Sequence, residues 1–252
     1  QTFRLIVKGA KMKSLKEIAL DYKVDLTALP KPIYKCKYCK DRGVIETAEN
    51  SVKLCECTQR KRLEAILSIM NEGTFKNYKA VTIEQQAIAK RAHDFGKNFN
   101  FDSSIMFLGN VGTGKTHLAS ATARLIIRLQ FEKNKVVLVE APTFSSLLVE
   151  LKEKSKKISD YKNCDLLILD DFYKKFYNKV FNHAEIEIEL FDLINYRYLR
   201  RFKCSTIITS ELTFEQMEAQ DSAIASRLCE MCNDGRNILT FSETKDYRKK
   251  DL

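Results

Sequence analysis

The chain has 252 residues, 44% of them hydrophobic and 30% charged, with a formal net charge of +10. Those fractions describe a folded globular protein and exclude a collagenous, mucin-like or wholly disordered chain; no apolar run approaches the roughly 18–20 residues of a membrane-spanning helix. The charge is lopsided: residues 1–62 carry 15 Lys/Arg against 7 Asp/Glu, a balance that suits a polyanion partner or an ordinary lysine-rich surface.

Lys8, Lys11, Lys13, Lys16, Asp21 and Lys23 interrupt the first thirty residues. No signal-peptide apolar core is expected there, which points to a cytoplasmic protein without a membrane partner. Ser14 and Glu17 have capping-box spacing ahead of Ile18, Ala19 and Leu20, and Pro30 and Pro32 break the chain beyond them.

Eight cysteines in a chain without an export signal suggest metal binding or chemistry rather than disulfides. Cys36-x₂-Cys39, fifteen residues, then Cys55-x-Cys57 gives four thiols in two close pairs, with Gly43 where a hairpin turns. Four thiolates close a tetrahedral Zn²⁺ site with no open position, so a structural zinc is the reading preferred over free thiols or an iron–sulfur cluster. A segment of roughly 25 residues cannot build its own core, and the metal would supply its folding energy. Cys229-x₂-Cys232 has no second pair nearby and reads as helix or core. His93, His117 and His183 fall in no ligand spacing.

Leu63, Ile66, Leu67 and Met70 predict a helix over 59–72, and a linker is expected near 72–80. The expected domains are a basic, zinc-binding region at 1–72 and a second domain at 73–252. In the second, five apolar runs read as strands: Ile105–Leu108, Val136–Val139, Leu166–Leu169, Thr206–Thr209 and Ile238–Phe241. Amphipathic stretches such as 116–130 and 185–199 alternate with them. That alternation predicts an α/β fold, a five-stranded parallel sheet buried between helices.

Gly109-Asn110-Val111-Gly112-Thr113-Gly114-Lys115-Thr116 matches G-x-x-x-x-G-K-[ST] in full, after a strand and before a helix. Glycines let the backbone curl so that several N–H groups meet one phosphate, and the helix N-terminus adds its positive end. The stretch Gly109–His117 is therefore assigned to ATP, Lys115 to the β- and γ-phosphates and the Thr116 hydroxyl to Mg²⁺. Leu166-Leu167-Ile168-Leu169-Asp170-Asp171 delivers two carboxylates to the same sheet edge. Asp170 is expected in the Mg²⁺ shell and Asp171 at the attacking water. Thr209 and Ser210 end the fourth strand and are candidates for sensing the γ-phosphate. Arg227 is a candidate arginine finger for a neighbouring subunit's ATP. Pro142–Asn163 is too long for a plain connection, and its Lys152, Lys154, Lys156 and Lys157 suit phosphate neutralisation without base reading as well as they suit a solvated helix face.

Six segments then occur in one order: GNVGTGKTHLAS at 109–120, LLILDDF at 166–172, LFDLINYRY at 190–198, TIITSEL at 206–212, AIASRL at 223–228 and DYR at 246–248. The ordered set resembles the bacterial and phage replicative-helicase loaders, the DnaC/DnaI group of the AAA+ ATPases; the transposition helper IstB is similar over the same stretch, roughly residues 75–250. The resemblance implies a P-loop AAA+ core with the lid domain absent or tiny, and an ATPase stimulated by DNA or partner, in a bacterial cell or phage-infected bacterium. It implies a loader role: an N-terminal region that grips a hexameric helicase, a core that touches single-stranded DNA, and self-association through the ATPase domain. By the same resemblance Arg227 matches the loader arginine finger, Thr209 and Ser210 match the sensor-1 segment, and an extra helix near Lys152–Lys157 faces the channel of the assembly. Glu211 stands where the family often carries Asn, and Asp171 where many AAA+ proteins carry Glu. The cysteine-bearing segment favours DnaI-like and phage loaders over an IstB-type helper. A nucleotide-dependent DNA-binding module with little turnover is the third reading.

Overall fold

The computed structural model describes residues 34–46, 51–69, 72–133, 137–173 and 183–242. The Ser14–Glu17 capping pattern and the residues after Ser242, with the DYR segment at 246–248, lie outside them. Two compact units divide the chain, residues 1–57 and residues 58–252.

In the first unit, strands β1 (Val44–Glu46) and β2 (Val52–Leu54) pair antiparallel, Val44 opposite Leu54. The turn before them winds tightly. Lys40 and Asp41 have φ of 49° and 62°, and the Asp41 carboxylate accepts from the backbone N–H groups of Lys35 and Cys36. An aspartate tolerates this left-handed backbone because its short side chain bonds locally.

The second unit begins along α1 (Glu56–Ile69), followed by α2 (Ile83–Lys97), which Thr82 opens with a full capping box to Gln85. Then come β3 (Ile105–Gly109), α3 (Lys115–Glu132), β4 (Val139–Glu140), α4 (Phe144–Lys152), α5 (Lys157–Asn163) and β5 (Leu166–Phe172). After these follow α6 (His183–Leu199), β6 (Ser205–Ser210), α7 (Phe214–Gln220), α8 (Ser222–Met231) and β7 (Ile238–Phe241). The sheet is parallel, in the order β4-β5-β6-β3-β7.

The two-residue period of a strand divides the sheet's side chains between two cores. Met106, Leu108, Leu167, Leu169 and Ile208 point to one face, where they meet Leu147 and Leu151 of α4, Leu193 and Ile194 of α6, and Leu228 of α8. Ile105, Phe107, Leu166, Ile168 and Ile207 point to the other, against Ile88 and Ala92 of α2 and Leu118, Ala123 and Ile126 of α3. Helices thus cover both faces, which is why these strands read as continuous apolar runs.

Two expectations need correction. Of the strand expected at Val136–Val139, Val137 and Leu138 lie outside it: the strand is Val139–Glu140, an edge strand paired at Val139↔Leu166 and Glu140↔Leu167, and Val136 lies outside the described residues. The apolar run arises instead from Val137, buried below the sheet edge, while Leu138 is exposed. The stretch near 72–80 is no free linker. Thr74 and Asn77 close a turn through paired side-chain hydrogen bonds, and Phe75 and Tyr78 pack on the second core.

Arg197 is completely buried on α6. Its Nε donates to Thr206 Oγ1 (3.1 Å), Nη1 to the carbonyls of Tyr161 (2.9 Å) and Cys164 (3.0 Å), and Nη2 to the Ser205 carbonyl (2.5 Å). One guanidinium fork therefore ties the end of α5 to the starts of β5 and β6. Its planar, always charged fork of donors reaches all four acceptors at once, which a single-point lysine ammonium could not.

Candidate functional site

The phosphate loop lies between β3 and α3, at the C-terminal edge of the sheet. Gly109 has φ of 130°, and a Cβ there would sit 2.5 Å from the Phe241 carbonyl, so only glycine lets β7 approach the loop. Gly114 caps α3 in the left-handed region, φ 98°, with a Cβ position 2.9 Å from the Tyr78 ring. Thr113 Oγ1 donates to the Asn110 carbonyl (2.9 Å) and braces the turn. The buried Lys115 ammonium donates to the carbonyls of Gly109 (2.7 Å) and Asn110 (2.6 Å). Val111 is exposed at the rim.

β5 ends beside this loop. Asp170 Oδ1 accepts from Thr116 Oγ1 (2.9 Å) and from Thr209 Oγ1 (2.6 Å). Thr209 Oγ1 in turn accepts from the Asp171 backbone N–H (2.9 Å). One hydroxyl thus fixes the pair of acidic residues from β6, while Asp171 takes φ of 58° at a register shift between Leu169 and Phe172. Ser210 faces the other way. Its hydroxyl donates to the Phe172 carbonyl (2.6 Å) and accepts from Leu212 N–H (3.2 Å), so it is spent on the β5–β6 backbone. Of the two sensor candidates, Thr209 alone stands with the carboxylates.

A clamp that spacing did not reveal holds the loop from outside. His117 Nε2 donates to the Thr74 carbonyl (2.9 Å), the Tyr78 ring lies 5.2 Å from the His117 ring, and Gln85 Nε2 donates to the Thr113 carbonyl (3.4 Å). These partners are 28 to 43 residues apart in sequence; no local pattern links them.

Arg227 lies on α8. Its Nε donates to Asn195 Oδ1 (2.9 Å) and its Nη1 to the Ala223 carbonyl (2.8 Å), and its guanidinium stacks 4.6 Å from the Phe191 ring. These partners belong to α6 and α8, not to the phosphate loop. Lys152, Lys154, Lys156 and Lys157 are exposed at the α4–α5 junction, with Lys154 at φ 48°. Lys157 pairs with Glu150 at 3.1 Å; the Ser155 side chain and then this lysine hold the Glu150 carboxyl below its usual range, and Glu150 raises the lysine. The connection forms two short helices, not one.

In the N-terminal unit the sulfurs of Cys36, Cys39, Cys55 and Cys57 all lie within 4.8 Å of one another. Cys36 and Cys55 are 3.7 Å apart, Cys39 and Cys57 3.4 Å. Four sulfurs at ~2.3 Å around a tetrahedral ion are separated by ~3.8 Å, so the cluster fits zinc. Backbone N–H groups of Cys39 and Tyr38 lower the Cys36 thiol to about 6, into the range where it ionises readily. Cys229 and Cys232 form no such cluster; Cys232 is fully buried, which pushes its thiol well up. Among the described residues, no helix is long and apolar enough to cross a membrane.

The profile of the bacterial DnaA ATPase domain matches residues 71–232. The phage-like element PBSX protein XkdC of Bacillus subtilis (strain 168) is 28% identical over 223 residues, 80% of each chain. The replicative helicase loader DnaC of Escherichia coli (strain K12) is 21% identical over 252 residues, 95% of this chain and 98% of that one. The solved structure of DnaI has the same fold, with a TM-score of 0.53 at 16% identity over 73% of this chain and 93% of that one.

Proposed function

The chain belongs to the bacterial DnaA ATPase-domain family of AAA+ proteins, and from that premise we propose that it is an ATP-dependent loader that delivers a hexameric replicative helicase onto single-stranded DNA. The observation that carries the reading is the DnaC match along 95% of the chain, which takes in the N-terminal region as well as the ATPase. Residues 1–72, with zinc held by Cys36, Cys39, Cys55 and Cys57, are the helicase-gripping part; residues 73–252 are the ATPase.

In this reading the loop amides and Lys115 bind and orient the phosphates, and charge-assisted contacts there outweigh neutral ones. Thr116 and Asp170 hold Mg²⁺, which when bound neutralises charge on the phosphate oxygens. Thr209 keeps Asp170 and Asp171 in place from β6. Asp171 orients the attacking water; its carboxylate, one methylene shorter than Glu, supports slow turnover that rises with DNA or partner. Arg227, anchored away from its own phosphate loop, is available to a neighbouring subunit's ATP, so turnover depends on self-association. Lys152, Lys154, Lys156 and Lys157 are the first DNA contacts.

The test mixes the purified chain with a bacterial hexameric helicase and circular single-stranded DNA coated with binding protein. Co-elution with the helicase and ATP-dependent appearance of helicase on the circle are expected. Co-elution with a transposase instead, or an ATP-driven coat on duplex DNA, would replace the loader by the IstB-type reading.

A further inference from the structure

The end of α6 carries Tyr196, Arg197, Tyr198 and Leu199, and the turn beyond it Arg200, Arg201, Phe202 and Lys203. Arg197 is consumed by the core and fixes the helix end. The remainder forms an outward cluster of rings and cations. The Arg200 guanidinium lies 5.4 Å from the Tyr196 ring and the Lys162 ammonium 5.7 Å from it. Arg200 Nη1 donates to Tyr196 Oη (2.9 Å), whose own hydroxyl donates to Asn163 Oδ1 (2.9 Å). The Arg201 guanidinium stands over two rings, 4.4 Å from Tyr198 and 4.8 Å from Phe202.

Folding does not account for this arrangement. Phe202 is 70% exposed and Leu199 68% exposed, and an apolar side chain left in water contributes nothing to the core. Two carboxylates beside the cluster are already engaged, Asp192 with Lys162 and Glu230 with the Tyr198 hydroxyl. A purely cationic turn would suit phosphate alone, and a purely apolar one would suit a helix or strand. Rings interleaved with guanidinium groups suit a strand of unpaired bases, whose faces stack on aromatics while cations neutralise the backbone. Lys152, Lys154, Lys156 and Lys157 stand at the α4–α5 junction, and Lys162 and Asn163 stand at the far end of α5, roughly 10 Å along the helix from Lys157.

We propose that the Tyr196–Lys203 turn is a base-stacking contact for single-stranded nucleic acid, with Phe202 as the stacking ring and Arg200, Arg201 and Lys203 as phosphate contacts. The proposal rests on the reading that single-stranded DNA is a partner, and it adds a second contact at the far end of α5 from the lysine group.

The chain contains no tryptophan, so Phe202→Trp supplies one local fluorophore on an exposed position. With the full-length variant, oligothymidylate of about twenty nucleotides should quench that emission, and inorganic polyphosphate of equal charge should not. In parallel, anisotropy of a labelled oligonucleotide reports total binding. Arg200→Ala, Arg201→Ala, Phe202→Ala in one chain should weaken it at least tenfold at low salt and make the salt slope shallower by about 1.4, the share of two phosphates on a single strand. Unchanged nucleotide binding and far-ultraviolet dichroism verify its fold. If the oligonucleotide binds while the tryptophan is silent and the triple variant matches the parent, the cluster is not the contact, and the single-stranded DNA reading stands without it. Quenching by polyphosphate or an acidic peptide as strong as by oligothymidylate overturns base stacking. No binding by the parent chain removes both readings.

Discussion

The cysteine hairpin and the ATPase body solve the stability problem in opposite ways. The hairpin is two three-residue strands and a tight turn before them, and among its described residues the fully buried apolar ones are cysteines, Cys39 and Cys55. The body buries two cores, one on each face of a five-stranded sheet. A segment as short as the hairpin exposes most of its surface whatever it does, so a bound ion must supply what area cannot. The body needs no ion to fold and can keep its polar chemistry for nucleotide. The difference teaches that this chain has two separable stabilities, and each can be broken without the other.

The largest expected effect is on the hairpin. Removing zinc with a chelator, or replacing Cys36 by Ser, should unfold it outright, since apparent zinc binding energies of roughly 10–16 kcal/mol become folding energy in such units. Amide exchange should become complete across residues 34–57 while the thermal transition of the body stays where it was. Elemental analysis showing no zinc in freshly purified protein would break the comparison at its root. Next in size is Arg197→Met, which leaves the carbonyls of Tyr161, Cys164 and Ser205 without their donor. Urea unfolding of the body should lose about 3–5 kcal/mol, with zinc content unchanged. Lys115→Ala should cost less in free energy, roughly a 10- to 100-fold loss of ATP affinity by titration, and neither stability should move.

The smallest effect is chemical and sharpens the contrast cysteine by cysteine. Burial pushes the Cys164 thiol up to about 11 and raises those of Cys204 and Cys232 as well. A raised thiol holds less thiolate at a given pH, so at pH 8 Cys164 is ionised in only about one molecule in a thousand. Chelator opens the hairpin but leaves the body folded, so an alkylating reagent should mark Cys36, Cys39, Cys55 and Cys57 quickly and leave Cys164, Cys204 and Cys232 unmarked until the body unfolds. Rapid labelling of Cys164 would show that the body opens locally.

Much of the sheet was legible because burial on both faces turns a strand into an apolar run: Ile105–Leu108 and Leu166–Leu169 needed no context. The edge strand was misplaced because an edge pairs on one side and its apolar residues answer to the layer beneath, as Val137 does. The phosphate loop, Asp170 and the four hairpin cysteines are contiguous or closely spaced and so visible as motifs. Thr209 was separable from Ser210 only by strand register, which sends the two hydroxyls to opposite faces. The clamp of Thr74, Tyr78 and His117, and the buried fork of Arg197, join residues whose spacing in sequence carries no period. The alternation of rings and cations from Tyr196 to Lys203 matches no motif and acquires meaning only because Arg197 alone among them is fully buried.

The order of strands also sets a timetable. β3 carries the phosphate loop, yet its neighbours are β6 and β7, with Met106 beside Ile238 and Gly109 beside Phe241. Those partners are synthesised roughly 100 and 130 residues later, and at 5–20 residues per second a ribosome needs on the order of five to twenty-five seconds to reach them. Pairings across such separations form late in folding because the long loop must close first. The nascent chain therefore completes its cysteine hairpin long before it can grip a nucleotide, and the strand that finishes the nucleotide cradle is the last made of the described ones.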